Sequence, residues 1–339
     1  NGTLANPIAF MPASNTTHDL AGTVCSDVAV IDCELLGHES HQYMILSLRS
    51  QRVDIRGNTL DGACVAYSED QNAIEIFGGY DVTIIGNKVR RFAGSGIIIN
   101  SASPTYDDTE SVSVIAANNN LSLCKYGVLL NPTSDGGAFG AQNLTDVQLH
   151  HNVIRNCNSH GVYLLDEYAD TSATAINIDK NQISGTPIGI QATSTIAKNA
   201  GTSRAVRITG NTIRDASHAS LGAIYVTRIV GVTIEGNEIY NATYDGIRLT
   251  TLSGLRVAGN RIHTCGHRGI HGDAVTDSTV TDNTIDTTVA AAILFQSSPV
   301  RVTCDRNHIR HVASGVVSVF MTSGDYCTVN DNDFYRASS

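Results

Sequence analysis

Between Tyr225 and Asp273 the chain also carries Arg228, Tyr244, Asp245, Arg248, His267, Arg268 and His271. Residues of these types can move a proton that lies next to a carboxylate. An arginine neutralises the carboxylate and acidifies the adjoining C–H, and a tyrosine or histidine takes the proton as general base. Asp245 with Asp273 offers a second chemistry, hydrolysis through two carboxylates. An earlier set, Lys125, His160, Tyr163, Asp166 and Glu167, has a similar make-up, with Asp166 and Glu167 as its carboxylate pair. The plain alternative for both sets is a solvated face with ordinary ion pairs. Either chemistry needs an element that brings residues distant in sequence side by side.

That element is visible as an asparagine followed two residues later by an aliphatic or aromatic residue. The asparagines are Asn58, Asn87, Asn119, Asn152, Asn181, Asn211, Asn237, Asn260, Asn283, Asn307 and Asn332, spaced 23 to 33 residues apart. A period in this range marks a stacked repeat. Before each asparagine apolar residues alternate, as in Val82 and Ile84 ahead of Asn87; after it a glycine opens a second run, as in Gly246-Ile247-Arg248-Leu249. Alternation over three to five residues is strand, not helix. Three short strands per repeat, each turning the chain by a third of a circle, make one coil of a parallel β-helix. The chain is expected to form an all-β solenoid of about 11–12 such coils, stacked ~4.8 Å apart. The asparagine is expected at a left-handed corner, its amide bonding the next one in a ladder.

In the run after each glycine the first and third residues should point inward and the second and fourth outward. The outward columns then hold Tyr163, Gln191, Tyr225, Arg248 and His271, and beside them Asn131, Thr227, Thr250 and Asp273. Lys125, His160, Tyr244, Asp245, His267 and Arg268 sit just before their glycines. This predicts Tyr225, Asp245, Arg248, His271, His160, Tyr163 and Asp166 as catalytic. Lys125, Asn131, Glu167, Gln191, Arg228, Tyr244, His267, Arg268 and Asp273 are predicted to bind substrate. Arg248 and His271 are both expected to be exposed. Long loops at 101–111, 132–144, 166–175 and 193–204 would wall a groove, since long insertions on a rigid scaffold usually carry function.

With its Asn-x-Ile corners and Gly-Ile runs the chain resembles the right-handed parallel β-helix superfamily over roughly residues 25–336. This is the pectate-lyase-like fold of polysaccharide lyases, epimerases, hydrolases and phage tailspikes. The resemblance implies a polysaccharide substrate, an extracellular or secreted protein, or alternatively a virion tail with a trimeric receptor-binding depolymerase. It names no reaction, because the Asp-Pro-His-Glu signature of alginate C5-epimerases and the paired-Asp and Arg-Ile-Lys motifs of polygalacturonases are absent. A lyase or C5-epimerase acting on a uronate-containing polymer is the expected activity, with a glycoside hydrolase as the alternative.

Composition narrows the partners. The formal net charge of −10 argues against nucleic acid, which needs a basic face. A local basic patch can still meet an anionic sugar polymer. No apolar run is long enough to insert in a membrane. Residues 1–24 read as an N-terminal segment or partial cap and 25–336 as the solenoid; further domains or a homotrimer are expected to cover its ends. The eight cysteines lack zinc spacing and recur in equivalent slots, which favours buried free thiols over disulfides. No cofactor is expected, apart from Ca²⁺ at the acidic loop residues Asp107, Asp108 and Glu110.

Overall fold

The computed structural model describes residues 8–10, 25–36, 43–62, 71–101, 111–132, 143–166, 172–194, 204–310, 318–322 and 324–335. Among these every regular element is a strand. No helix of the described residues is long and apolar enough to cross a membrane. The chain divides into two compact units, residues 1–177 and 178–339.

In the first unit the repeat is laid out in full around Asn87. The strand Asn72–Ile85 leads into the corner, Lys88–Arg90 follows it, and Ser95–Asn100 completes the coil. Each strand pairs in parallel with its counterpart one repeat away, so Val89 lies between Leu60 and Leu121. The second unit repeats the scheme with shorter connections. There Asp245–Ser253 precedes the separate strand Arg256–Ala258, whereas in Ile270–Thr281 the strand after the glycine fuses with the strand before the next asparagine. Ala274 and Asp277, at φ 52 and 50, bend the latter strand within its length.

The interior is built from inward rows of aliphatic side chains, one row per face. In the second unit these are Ile224, Ile247, Ile270 and Ile293; Ile234, Val257 and Val280; and Ile213, Ile239, Ile262 and Ile285, all fully buried. Burying one such side chain stabilises the fold by about 1.5–3 kcal/mol, so the repeat is held chiefly by these rows. Cys124, Cys157, Cys265 and Cys304 fill interior positions as free thiols, while Cys25, Cys33 and Cys327 are half-buried. Cys64 lies outside the described residues.

The ladder is present in both units. Asn58 Nδ2 donates to Asn87 Oδ1 (2.9 Å), Asn87 to Asn119 (2.9 Å) and Asn119 to Asn152 (3.0 Å). In the second unit the chain of amides runs from Asn181 through Asn211, Asn237, Asn260, Asn283 and Asn307 to Asn332. The amides also reach inner carbonyls, as Asn87 Nδ2 does with Ile55 O at 2.9 Å and Asn237 Nδ2 with Ile208 O at 2.8 Å. One expectation needs correction. The left-handed residue is not the asparagine but the one before it: Gly57, Gly86, Asn118 and His151, then Lys180, Gly210, Gly236, Gly259, Asp282, Arg306 and Asp331. That residue turns the corner and leaves the asparagine free to aim its amide along the stack.

Candidate functional site

The strands Ile188–Ser194, Gly222–Thr227, Asp245–Ser253 and Ile270–Thr281 lie side by side in the second unit. Their pairing puts Gln191 beside Tyr225, Tyr225 beside Arg248, and Arg248 beside His271. Thr193, Thr227, Thr250 and Asp273 form the next row. The rows expected from the sequence are therefore in register, although Gln191, Thr193, Thr227 and His271 within them are buried. Gln191 Nε2 donates to Thr193 Oγ1 at 2.8 Å. Arg228, exposed on left-handed backbone at φ 57, ends the row beyond Thr227.

The centre of the site is Asp245, which is fully buried. Its Oδ1 accepts from His267 Nδ1 (2.9 Å) and from the Arg268 backbone N–H (3.1 Å), and its Oδ2 accepts from His271 Nδ1 (3.0 Å). A carboxylate only accepts, so both imidazoles carry their proton on Nδ1 and present Nε2 as the basic nitrogen. One buried carboxylate thus orients two histidines on the neighbouring coil.

The two rings differ in access. His267 is 25% exposed, while His271 is only 2% exposed. Arg268 Nη1 lies 3.0 Å from His271 Nδ1 and 3.4 Å from Nε2. A point that close to both nitrogens stands over the ring face, because in the ring plane it would collide with the carbon between them. The expectation that His271 is exposed is therefore wrong: the Arg268 guanidinium roofs it, and its other edge is tied to Asp245. His271 is tied to the carboxylate, and the more accessible imidazole is His267, for which the sequence predicted only a binding role. The Tyr244 ring packs over His267 at 4.3 Å between centroids, tilted by 31°. Both Asp245 oxygens are engaged by three donors from within the protein, an arrangement that suits holding the two imidazoles better than acting in a hydrolytic pair with Asp273.

Arg248 is half-buried, with Nη1 donating to the Ser220 carbonyl and Nε buried without a partner. Thr250 Oγ1 and Asp273 Oδ1 are also buried without partners. Beside Arg248 the sequence reading missed His218. Its Nδ1 accepts from the Ser220 and Leu221 backbone N–H groups at 3.1 and 3.0 Å, so its proton sits on Nε2. Burial, and then the Arg248 charge, hold the His218 pKa below the ordinary histidine value. A signal existed: His218, Tyr244 and His267 each stand seven residues after their corner asparagine.

In the first unit Tyr126, His160 and Tyr163 form a ring cluster. His160 and Tyr163 stack at 4.3 Å and 6°, and Lys125 Nζ lies 4.9 Å from the Tyr126 ring centre. Ser159 Oγ bonds His160 Nδ1 at 2.8 Å. Asp166 is fully buried, and Asn131, paired with Asn100, ends its strand with Oδ1 buried and unpartnered. Glu167 and the acidic residues Asp107, Asp108 and Glu110 lie outside the described residues. Ring faces occupied by one another leave less for a ligand than the second unit offers. Among the described residues no group of three or more His, Cys, Asp or Glu side chains is placed to hold a metal.

A variant of the periplasmic alginate epimerase AlgG is similar in structure, with a TM-score of 0.71 at 13% identity over 92% of this chain and 76% of that one. The catalytic unit of a thermostable α-1,3-glucanase from Streptomyces thermodiastaticus gives a TM-score of 0.58 at 13% identity, covering 88% of this chain and 63% of that one. The A-module of a mannuronan C-5 epimerase from Azotobacter vinelandii gives 0.53 at 12% identity, covering 93% and 81%. At such identities the likeness is one of fold. No curated protein sequence matches the chain. The sequence profile described as the right handed beta helix region matches residues 21–200 and 198–338, spanning the ladders of both units, and the chain therefore belongs to the right-handed β-helix family.

Proposed function

We propose that the second unit acts on a uronate-containing polysaccharide, removing the C5 proton of one sugar. The observation that carries this reading is the buried Asp245 carboxylate orienting His267, with Nε2 left without a protein partner among the described residues. A histidine held in one tautomer by a buried carboxylate is a preorganised general base. Arg268 follows His267 in the chain and Arg248 pairs with His271 on the adjacent strand; in this reading they neutralise the sugar carboxylate, stabilising the charge that develops as the proton leaves. The electron pair of the C5–H bond then has two fates. It can form a C4–C5 double bond while the C4–O bond breaks and the leaving oxygen takes a proton, which is β-elimination. Alternatively C5 regains a proton from the opposite face, which is epimerisation. Tyr225 and Tyr244 border the same patch and are the phenols available as proton donors. Support also comes from the structural neighbours, two of which are alginate or mannuronan epimerases by name. A polymer of this kind implies action outside the cytoplasm.

Hydrolysis through Asp245 and Asp273 is the weaker reading, because all donors around Asp245 are already satisfied from within the protein. The test is incubation with a panel of uronate polymers in D₂O. Deuterium entering C5, or ultraviolet absorbance from unsaturated chain ends, is the expected result. Neither signal, together with reducing ends released from a neutral glycan, overturns the proposal in favour of hydrolysis.

A further inference from the structure

A cavity of about 290 Å³ opens on a different sheet, in the first unit, lined by Thr59, Lys88, Val89, Arg90, Asn120 and Ser122. It lies across three adjacent coils. Thr59, Lys88 and Asn120 form one outward row, and Asp61, Arg90 and Ser122 the other. Lys88 and Arg90 project from one strand on either side of Val89, which is 1% exposed and forms the floor.

The charge here departs from that of the whole chain. Asp61 is 3% exposed and is held by Arg90 Nε and Arg91 Nε, each at 2.7 Å. Two guanidiniums share that one carboxylate, so a surplus positive charge remains and Arg90 is fixed in place. Lys88 has no carboxylate within ion-pair distance among the described residues, and neither has Arg155, which continues the Arg90 row beyond Ser122. On a protein of net charge −10 the four cations Lys88, Arg90, Arg91 and Arg155 outnumber the neighbouring carboxylates Asp61 and Glu34, which leaves a local positive field, and it is the local field that a ligand meets. Between the cations stand the hydroxyls of Thr59 and Ser122 and the amide of Asn120, groups suited to sugar hydroxyls.

We propose that this cavity is an accessory binding site for a carboxylate-bearing saccharide, holding the polymer by a segment distant in the chain from the reacting sugar. The carboxylate lies between Lys88 and the fixed Arg90 guanidinium, a charge-assisted arrangement. The ring hydroxyls meet Thr59, Asn120 and Ser122. The choice of an acidic sugar over other anions rests on the function proposed above. The site itself needs no chemistry to occur there.

The experiment is hydrogen exchange read by mass spectrometry, with trigalacturonate as the acidic probe, maltotriose as the neutral one and inorganic sulfate as a simple anion. Protection over residues 86–92 and 118–124 with trigalacturonate alone, lost in Lys88→Glu and in Arg90→Gln, is the expected result. In Arg90→Gln, Asp61 keeps Arg91, so the fold has its ion pair. Unchanged melting temperatures confirm that both variants fold. No protection at these segments, equal protection by maltotriose or sulfate, or protection that survives both substitutions overturns the proposal. Protection over residues 244–250 and 267–273 reports the candidate active site separately, so failure of one reading is distinguishable from failure of the other.

Discussion

The Phe295 ring occupies the interior space directly beside Gly272. A Cβ built at Gly272 would lie 2.2 Å from Phe295 Cδ1. The two residues are paired on adjacent strands, with Leu249 on the far side of Gly272, so a large ring has grown into the place of a missing side chain. Gly272→Ala is therefore expected to destabilise the protein by about 1–3 kcal/mol through overpacking. Phe295→Leu in the same chain should restore part of that loss. Urea unfolding of the single and double variants checks it; an unaltered midpoint for Gly272→Ala would show that the ring moves freely aside.

The two histidines on Asp245 should separate in their effects. His267→Ala is expected to reduce turnover by about 10²–10⁴-fold, the range for loss of a general base, with the melting temperature little changed. His271→Ala leaves Asp245 Oδ2 buried without a donor, which costs about 1–3 kcal/mol. Thermal melts beside deuterium wash-in rates read both. Equal loss of stability in the two variants would contradict the difference in their burial.

His218 should confer a pH dependence of stability. Its folded pKa is depressed by burial and by Arg248, so on acidification the unfolded chain takes up the proton first. The stabilisation is complete above the ordinary histidine value of 6.5 and is lost as pH falls through the lower folded value. NMR titration should find the His218 imidazole less than half protonated where an exposed histidine is half protonated. Arg248→Gln should raise its midpoint.

Breaking the ladder in its middle should cost more than breaking a surface contact. Asn237→Ala removes the acceptor for Asn211 N (2.9 Å) and the donor to Ile208 O (2.8 Å). With two buried groups orphaned the expected loss is roughly 2–4 kcal/mol. Asn158→Ala, at an exposed bend off the ladder, is the control and should change the denaturation midpoint little.

Thiol chemistry offers an independent check on the coil interior. Burial pushes the Cys157 and Cys304 pKa values up to about 12, and raises that of Cys265 as well. These cysteines, with the buried Cys124, should ignore a disulfide reagent in the native state and react only in denaturant, since the thiolate is the reactive form. Fast native labelling of any of the four, located by peptide mapping, would contradict the inward placement.

What could be read from the sequence was what the period controls. The spacing from asparagine to glycine run places Tyr225, Arg248 and His271 in one outward column, and the pairing of strands bears that out. Period 2 also sorts the inward isoleucines correctly. It fails where the side chains themselves decide. The burial of His271 depends on where the Arg268 guanidinium rests, which alternation does not encode. Likewise Ile98 and Leu129 stand in the outward column yet are buried. His218 was missed because it lies in the turn before the strand, where no alternation marks it. The left-handed corner was placed one residue too late because Asn and Gly both favour that conformation, and only the backbone angles tell which takes it.

Asp245 and the residues that grip it stand on neighbouring turns of the spiral, and nothing but the alignment between those turns sets their mutual geometry. Asn237 and Asn260 open those same turns and are bonded amide to amide. Sliding one turn against the other by a single residue would swing the carboxylate away from both imidazoles. The amide chain thus works as a dowel through the stack, and a substitution in it should blunt the chemistry even where the protein still folds.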